Sequence, residues 1–236
     1  MIFVNKATAP AGASNGLLTD LESYWKLDEA SGTLADSHGA RDVTNNGATY
    51  GATGIIDDAL DFDGSNDYAT TGTWTGFASG TKTISFWFKA DVIPTTVTPK
   101  DRIITIEDNS YQDRPAFTAG LFSSTLDVGF GGNPWNGYVN LISVSTATWY
   151  HIVATMNYST GALSVYVNGS LEGTATNTGL VHSNVIVQFG RFNSPFGQFF
   201  NGILDEVGIW SRELSSTDVT NLYNSGSGLA YGDFTS

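Results

Sequence analysis

The residues of this chain able to hold or act on a ligand fall in a few places. The segment 131–138, Gly-Gly-Asn-Pro-Trp-Asn-Gly-Tyr, sets Trp135 among Asn133, Asn136 and Gly137. That is a loop composition, in which an exposed indole can stack on a sugar ring while neighbouring amides bond its hydroxyls. A second polar and aromatic stretch holds Asn109, Tyr111, Gln112, Asp113 and Arg114. Tyr111 and Arg114 are candidates to line the same ligand site. The competing reading packs Trp135 over an edge of the fold or into a neighbouring subunit.

Three other chemistries find little material. His38, His151 and His182 are the only histidines and they are scattered, so a histidine zinc site is not expected. The alternation of His151 with Trp149 and Val153 marks it as a packed strand residue. No Gly-x-Ser-x-Gly elbow is present, which speaks against an α/β-hydrolase. Asp61, Asp63, Asn66 and Asp67 imitate a calcium loop, but Gly64 stands at the wrong offset and Gly72 occupies the place of the closing bidentate Glu. The local expectation is a strand with Leu60 and Phe62 inward and Asp61 and Asp63 outward, followed by a turn at Gly64 and Asn66.

The elements that must position these residues are strands. Residues 81–91 alternate, with Ile84, Phe86 and Phe88 on one face and Ser85, Trp87 and Lys89 on the other. Residues 102–107, 125–130, 149–156, 162–167, 170–175, 184–189 and 203–210 predict further strands. Asn168-Gly169 supplies the positive φ of a tight hairpin turn. One helix is predicted over 215–224, with Ser215 as N-cap, Asp218 three residues on, and Val219, Leu222 and Tyr223 on one face. Ile84, Phe86, Phe88, Ile152, Val165 and Ile203 are the expected core.

Composition agrees. The 236 residues contain 27 glycines, and charged residues make up 14%, below the ~25% usual for globular chains. There is no cysteine, hence neither disulfides nor thiolate metal sites. The 10 basic against 23 acidic residues give a net charge of −13, which excludes phosphate-driven nucleic-acid binding and adhesion to anionic membranes. A neutral sugar or a divalent cation suits that charge better. No stretch approaches the about 20 apolar residues of a membrane span, so membrane insertion is not expected. Residues 1–22 hold one Lys, no Arg and no sustained apolar run, so no cleavable export signal is visible. Residues 1–20, with Ile2, Phe3 and Val4 ahead of small residues, read as an N-terminal arm or linker, and 21–236 as one domain.

Six motifs then fall into a familiar order: YWKLDEASGTLADSHG at 24–39, DFDGSNDYA at 61–69, TISFWFKA at 83–90, WYHIVATMN at 149–157, LSVYVNGSLEG at 163–173, and NGILDEVGIWSRELSSTDVTNLYN at 201–224. Together they resemble the laminin-G-like, concanavalin-A-like lectin-glucanase jelly-roll family over about residues 22–226. The resemblance implies an all-β fold, a two-sheet antiparallel jelly-roll sandwich with one short C-terminal helix. It also implies that the first and last strands run close together. Asp28 and Glu29 on the first and Asp205 and Glu206 on the last would then cluster oxygens for a structural Ca²⁺, with Asp36 as a further ligand. The alternative is that these carboxylates bind backbone amides or pair with Lys26 and Arg212.

Hydrolase relatives carry a Glu-x-Asp-x-x-Glu strand, which is absent here. Adjacent Asp205 and Glu206 are expected on opposite faces, a poor catalytic pair. Lyase relatives carry Gln-x-His, and Gln188-Phe189-Gly190 lacks the His. The expectation is a non-catalytic structural or binding module. Its first form is a phage virion surface protein, a decoration or fibre component. Residues 1–20 would meet capsid or other virion proteins, with homo-oligomers and cell-surface glycan adhesion as further partners. The alternative form is a carbohydrate-binding module of a larger bacterial secreted enzyme or adhesin, with a glycan-active enzyme behind both. The expected location is the virion or the extracellular space.

Overall fold

A computed structural model describes residues 15–77, 79–95, 101–108, 115–130, 138–177, 184–192 and 198–236. In chain order the strands are β1 (Leu21–Trp25), β2 (Val43–Asn46), β3 (Thr49–Thr53), β4 (Asp58–Asp63), β5 (Tyr68–Thr71) and β6 (Trp74–Thr75). Next come β7 (Thr81–Ala90), β8 (Asp101–Asp108), β9 (Pro115–Phe122), β10 (Thr125–Gly129), β11 (Tyr138–Ser143) and β12 (Trp149–Asn157). The last are β13 (Ala162–Val167), β14 (Ser170–Thr176), β15 (Asn184–Phe189), β16 (Arg191–Phe192), β17 (Gln198–Phe199) and β18 (Asn201–Trp210), followed by helix α1 (Ser216–Tyr223).

The strands form two sheets. Sheet A runs β14-β13-β12-β7-β18-β4-β3, with β1 also paired to β18. Sheet B runs β11-β10-β9-β8-β15-β5-β2, with β6 and β17 added on β15 and β8. Among the described residues, pairing is antiparallel except for one bridge, Phe199 to Arg102. The sandwich and its single α-helix follow the sequence reading.

The alternating residues of β7 decide the layering. Ile84, Phe86 and Phe88 are fully buried between the sheets, where they join Ile104, Ile106 and Phe117 of sheet B. Ile152 and Val165 join them, but Ile203 does not. It is buried on the outer side, opposite Lys89 and Asp61, and its neighbour Leu204 is the one that faces the core. On β4, Leu60 and Phe62 are buried and Asp63 is exposed. Its Oδ1 accepts from Ser65 N at 2.8 Å and Asn66 N at 3.4 Å, which makes the local turn. Asn168 and Gly169 have φ of 49° and 83°, as a hairpin turn of this hand requires.

The outer face of sheet A is also covered, which simple alternation on β7 does not foretell. Leu17, Tyr24, Trp210, Leu214, Val219, Leu222 and Phe234 form a second apolar cluster with Val153. Helix α1 starts on a capping box between Ser215 and Asp218, and Arg212 pairs with Asp218 at 2.9 Å. Its last residue, Tyr223, stacks on Trp87 and His151. The two ends of the described chain meet here as well. Asn15 N donates to Thr235 Oγ1 at 2.7 Å, Thr235 N to Asn15 Oδ1 at 2.8 Å, and Leu18 N to Thr235 O at 3.0 Å. Among the described residues, no helix is long and apolar enough to cross a membrane.

Candidate metal centre

Two backbone irregularities build the centre. β1 ends at Trp25, and Leu27 takes φ 65°, which turns the chain so that Asp28 swings back beside the last strand. On β18 the register to β7 shifts between Asp205 and Gly208, and Glu206 has φ 49°. A bulge of this kind breaks the alternation of side chains. Asp205 and Glu206 therefore do not diverge to opposite faces as the sequence implies. Asp28, Asp205 and Glu206 bring ligand oxygens within 4.8 Å of one another.

Each carboxylate is fastened by one oxygen and offers the other. Asp28 Oδ2 accepts from Lys26 Nζ at 2.7 Å. Asp205 Oδ2 accepts from the amides of Ile55 and Ile56 at 2.8 and 3.2 Å. Glu206 Oε2 accepts from the hydroxyl of Tyr24. The remaining oxygens, Asp28 Oδ1, Asp205 Oδ1 and Glu206 Oε1, are buried and have no hydrogen-bond partner. Asp205 and Glu206 are 0% and 3% exposed. Burial, together with the charge of Asp28, raises Asp205 to about 8 despite its amide bonds. Burial and the neighbouring charge of Asp205 push Glu206 well above the ordinary carboxylate value.

Three carboxylates in so small a space repel unless protons or a cation neutralise them. The donor set is all oxygen, which suits a hard divalent cation. Two oxygens on opposite sides of a Ca²⁺, each at 2.3–2.6 Å, lie about 5 Å apart, so the observed spacing fits one ion. The fastened oxygens orient the free ones, as outer bonds to metal ligands do. This cluster can coordinate a divalent cation.

Asp36 is not part of it. Its Oδ1 accepts from the amides of Tyr24, His38 and Gly39 at 3.0, 3.1 and 2.8 Å, and its Oδ2 from Arg41 N at 3.0 Å. Burial alone would raise its pKa, but these bonds together hold it below the usual value. The carboxylate closes a turn. Glu29 also turns aside, its Oε1 accepting from Ala35 N. The ligand candidates Trp135, Asn133, Asn136, Tyr111 and Arg114 lie outside the described residues, as do residues 1–14 of the arm. His151 is a packed residue as expected. It is 1% exposed, bonds Ser85 Oγ through Nε2 at 2.8 Å, and burial lowers its pKa to about 3.

The comparisons agree with this architecture. No curated protein matches the chain. Among solved structures, Trypanosoma rangeli sialidase in complex with the inhibitor DANA superposes with a TM-score of 0.68 at 16% identity over 89% of this chain. The binding domain of botulinum neurotoxin serotype D/C superposes with a TM-score of 0.67 at 17% identity, also over 89%. The chain spans 34% of the sialidase and 53% of the toxin domain. At such identities the likeness concerns the fold. The sequence profile described as the concanavalin A-like lectin/glucanases superfamily matches residues 63–220. That stretch covers more than half of the chain and takes in the core strands β7, β12 and β18 together with the Asp205 and Glu206 bulge, and on it the chain belongs to the concanavalin A-like lectin/glucanases superfamily.

Proposed function

We propose that this chain is a non-catalytic glycan-binding module, the carbohydrate-binding form of the two readings drawn from the sequence. The observation that carries this is membership of a lectin and glucanase superfamily by a chain without the paired catalytic carboxylates of the glucanases. Retaining or inverting hydrolysis needs two carboxyl groups facing an open substrate. The closely grouped acids Asp28, Asp205 and Glu206 are instead turned inward on a shared cation-sized space. Fold and matched chains favour the glycan module over a virion surface protein.

The finer reading of the acidic cluster is a structural Ca²⁺ that ties the turn after β1 to β18. Support comes from the three unbonded oxygens and from the burial of Asp205 and Glu206. The ion would neutralise Asp28, Asp205 and Glu206 and hold the first strand to the last. Calorimetry with and without chelator tests it. Calcium at a hundredfold excess over its Kd should raise the melting temperature by roughly 5–10 °C. Identical melting curves in both conditions would remove the ion.

The glycan reading is tested by titrating neutral and charged oligosaccharides against the protein while following tryptophan fluorescence. Trp135→Ala serves as the control for the loop at 131–138. Saturable binding by any one class upholds the module, and silence across all classes overturns it.

A further inference from the structure

The ring whose hydroxyl donates to Glu206 Oε2, that of Tyr24, is also where the acidic cluster meets the C-terminal segment. Tyr24 stands on β1 directly opposite Gly208 of β18, where regular pairing with β7 resumes after the bulge. A Cβ on Gly208 would come within 2.9 Å of the Tyr24 ring and 2.5 Å of the Trp210 ring. The glycine therefore leaves room for both rings against the strand, beside the displaced Glu206.

Residues from the other end of the chain close over Tyr24. Tyr231 stacks on its ring with centroids 5.1 Å apart and planes at 24°, and Phe234 meets it edge-on at 5.1 Å and 81°. The Tyr231 hydroxyl lies 3.1 Å from Nδ1 of His38. Tyr24 is 2% exposed, and its backbone N–H is held by Asp36 Oδ1. Packed in this way, the ring can change its tilt only if Tyr231 and Phe234 change theirs. The hydrogen bond that it directs is one from a hydroxyl to a carboxylate, of the stronger, charge-assisted kind. It fixes Glu206 Oε2 and leaves Oε1 as the unbonded oxygen of the cluster. Without it, the carboxyl group is free to rotate about its last carbon–carbon bond.

We infer that Tyr24 is a positioning residue of the cation site and couples it to the C-terminal segment: a divalent cation at Asp28, Asp205 and Glu206 tightens the docking of residues 229–236, and the docked segment tightens the cation. The inference rests on the reading of the acidic cluster as a cation site and adds its regulation. The two states are the segment docked and undocked, a local opening of the kind that chain ends undergo. Linkage makes the effect mutual, the same factor acting in both directions. The N-terminal side is included, because Asn15 Nδ2 donates to Asp233 O at 2.9 Å.

The test is calorimetric titration of the full chain with calcium chloride after treatment with chelator, together with hydrogen exchange with and without calcium. The wild type should bind. Calcium should slow exchange at 229–236 more than at β10 in sheet B, since a general stabilisation would slow both alike. Tyr24→Phe keeps the ring and loses only the hydroxyl. It should weaken calcium about 10- to 100-fold, the range for a lost outer partner of a metal ligand. Tyr231→Ala and Phe234→Ala alter none of the three acids, and each should weaken calcium by about 5-fold or more. Tyr231→Phe, which keeps the stack, should bind as the wild type does. Unchanged calcium affinity in Tyr24→Phe, or exchange at 229–236 that ignores calcium, overturns the coupling and leaves the cation site standing. The exchange measurement needs no variant, so it decides the matter even where Phe234→Ala does not fold. No calcium binding by the wild type overturns the cation site and the coupling with it.

Discussion

At Glu206 a positive φ inside a bulge redirects one carboxylate, and this local event creates the acidic cluster. Asp205→Asn probes it with little change of shape. The amide oxygen can still accept from Ile55 and Ile56, and the new NH₂ stands where the unbonded Oδ1 was. Without cation at neutral pH, the variant should be more stable than the wild type by about 1–3 kcal/mol, because it no longer has to take up a proton on folding to avoid a buried charge. Its response to calcium should vanish, and paired melts with chelator and with calcium measure both effects. Asp28 and Asp205 were legible as candidates from residue type and from the family order of the motifs. Glu206 was legible as a candidate in the same way, but strict alternation sets it on the face opposite Asp205, and nothing in Leu-Asp-Glu-Val-Gly marks the bulge that brings them together except Gly208. Asp36 was legible as an acid in a turn, but type alone cannot distinguish a metal ligand from an acceptor of four amides. His151 gives a separate test. Its folded pKa of about 3 lies below the ordinary 6.5, so the unfolded chain binds its proton first. Its share of stability is complete above pH 6.5 and declines as pH falls toward 3, by up to about 1.4 kcal/mol per unit. Replacing the pair jointly, Ser85→Ala with His151→Phe, should flatten that part of the acid limb in stability measured against pH.

At the scale of elements, β7 carries the reading. Its alternation predicted its start, its end to within one residue and its inward face, and Phe86 is fully buried between the sheets. Phe86→Ala should cost about 3–5 kcal/mol, measured by denaturant unfolding. The opposite face of the same strand was less legible. Ser85 and Trp87 are each only 3% exposed, since His151 and Tyr223 lie over them. A two-residue period describes one strand and carries no information on what a distant helix will cover. Short strands such as β2, β5 and β6 escaped for a similar reason. They are four, four and two residues long, too short to show a period, and pairing in the sheet, not pattern, makes them strands. The helix was legible almost to the residue because its cap is written locally. Ser215→Ala should cost about 1 kcal/mol, read from the same unfolding curves.

Over the whole molecule the two sheets are dressed differently. Sheet A is closed on its outer side by helix α1 and the chain ends, and the outer side of sheet B carries polar side chains, of which Thr105, Gln188 and Thr118 are buried. The fold and its two-layer core followed from strand patterning and motif order, while the difference between the two outer faces did not. The clasp of Asn15 and Leu18 with Thr235 has a consequence for architecture. Segments joined to either end leave the module from a single point, so it is shaped to be inserted into another chain as readily as to be strung between two. The same closeness means that the order of the strands in the gene is not needed for their arrangement in space. A circular permutant linking Ser236 to Asn15 by a short glycine-rich loop, and opened in the exposed turn at Ser159–Thr160, should fold and melt within a few degrees of the wild type.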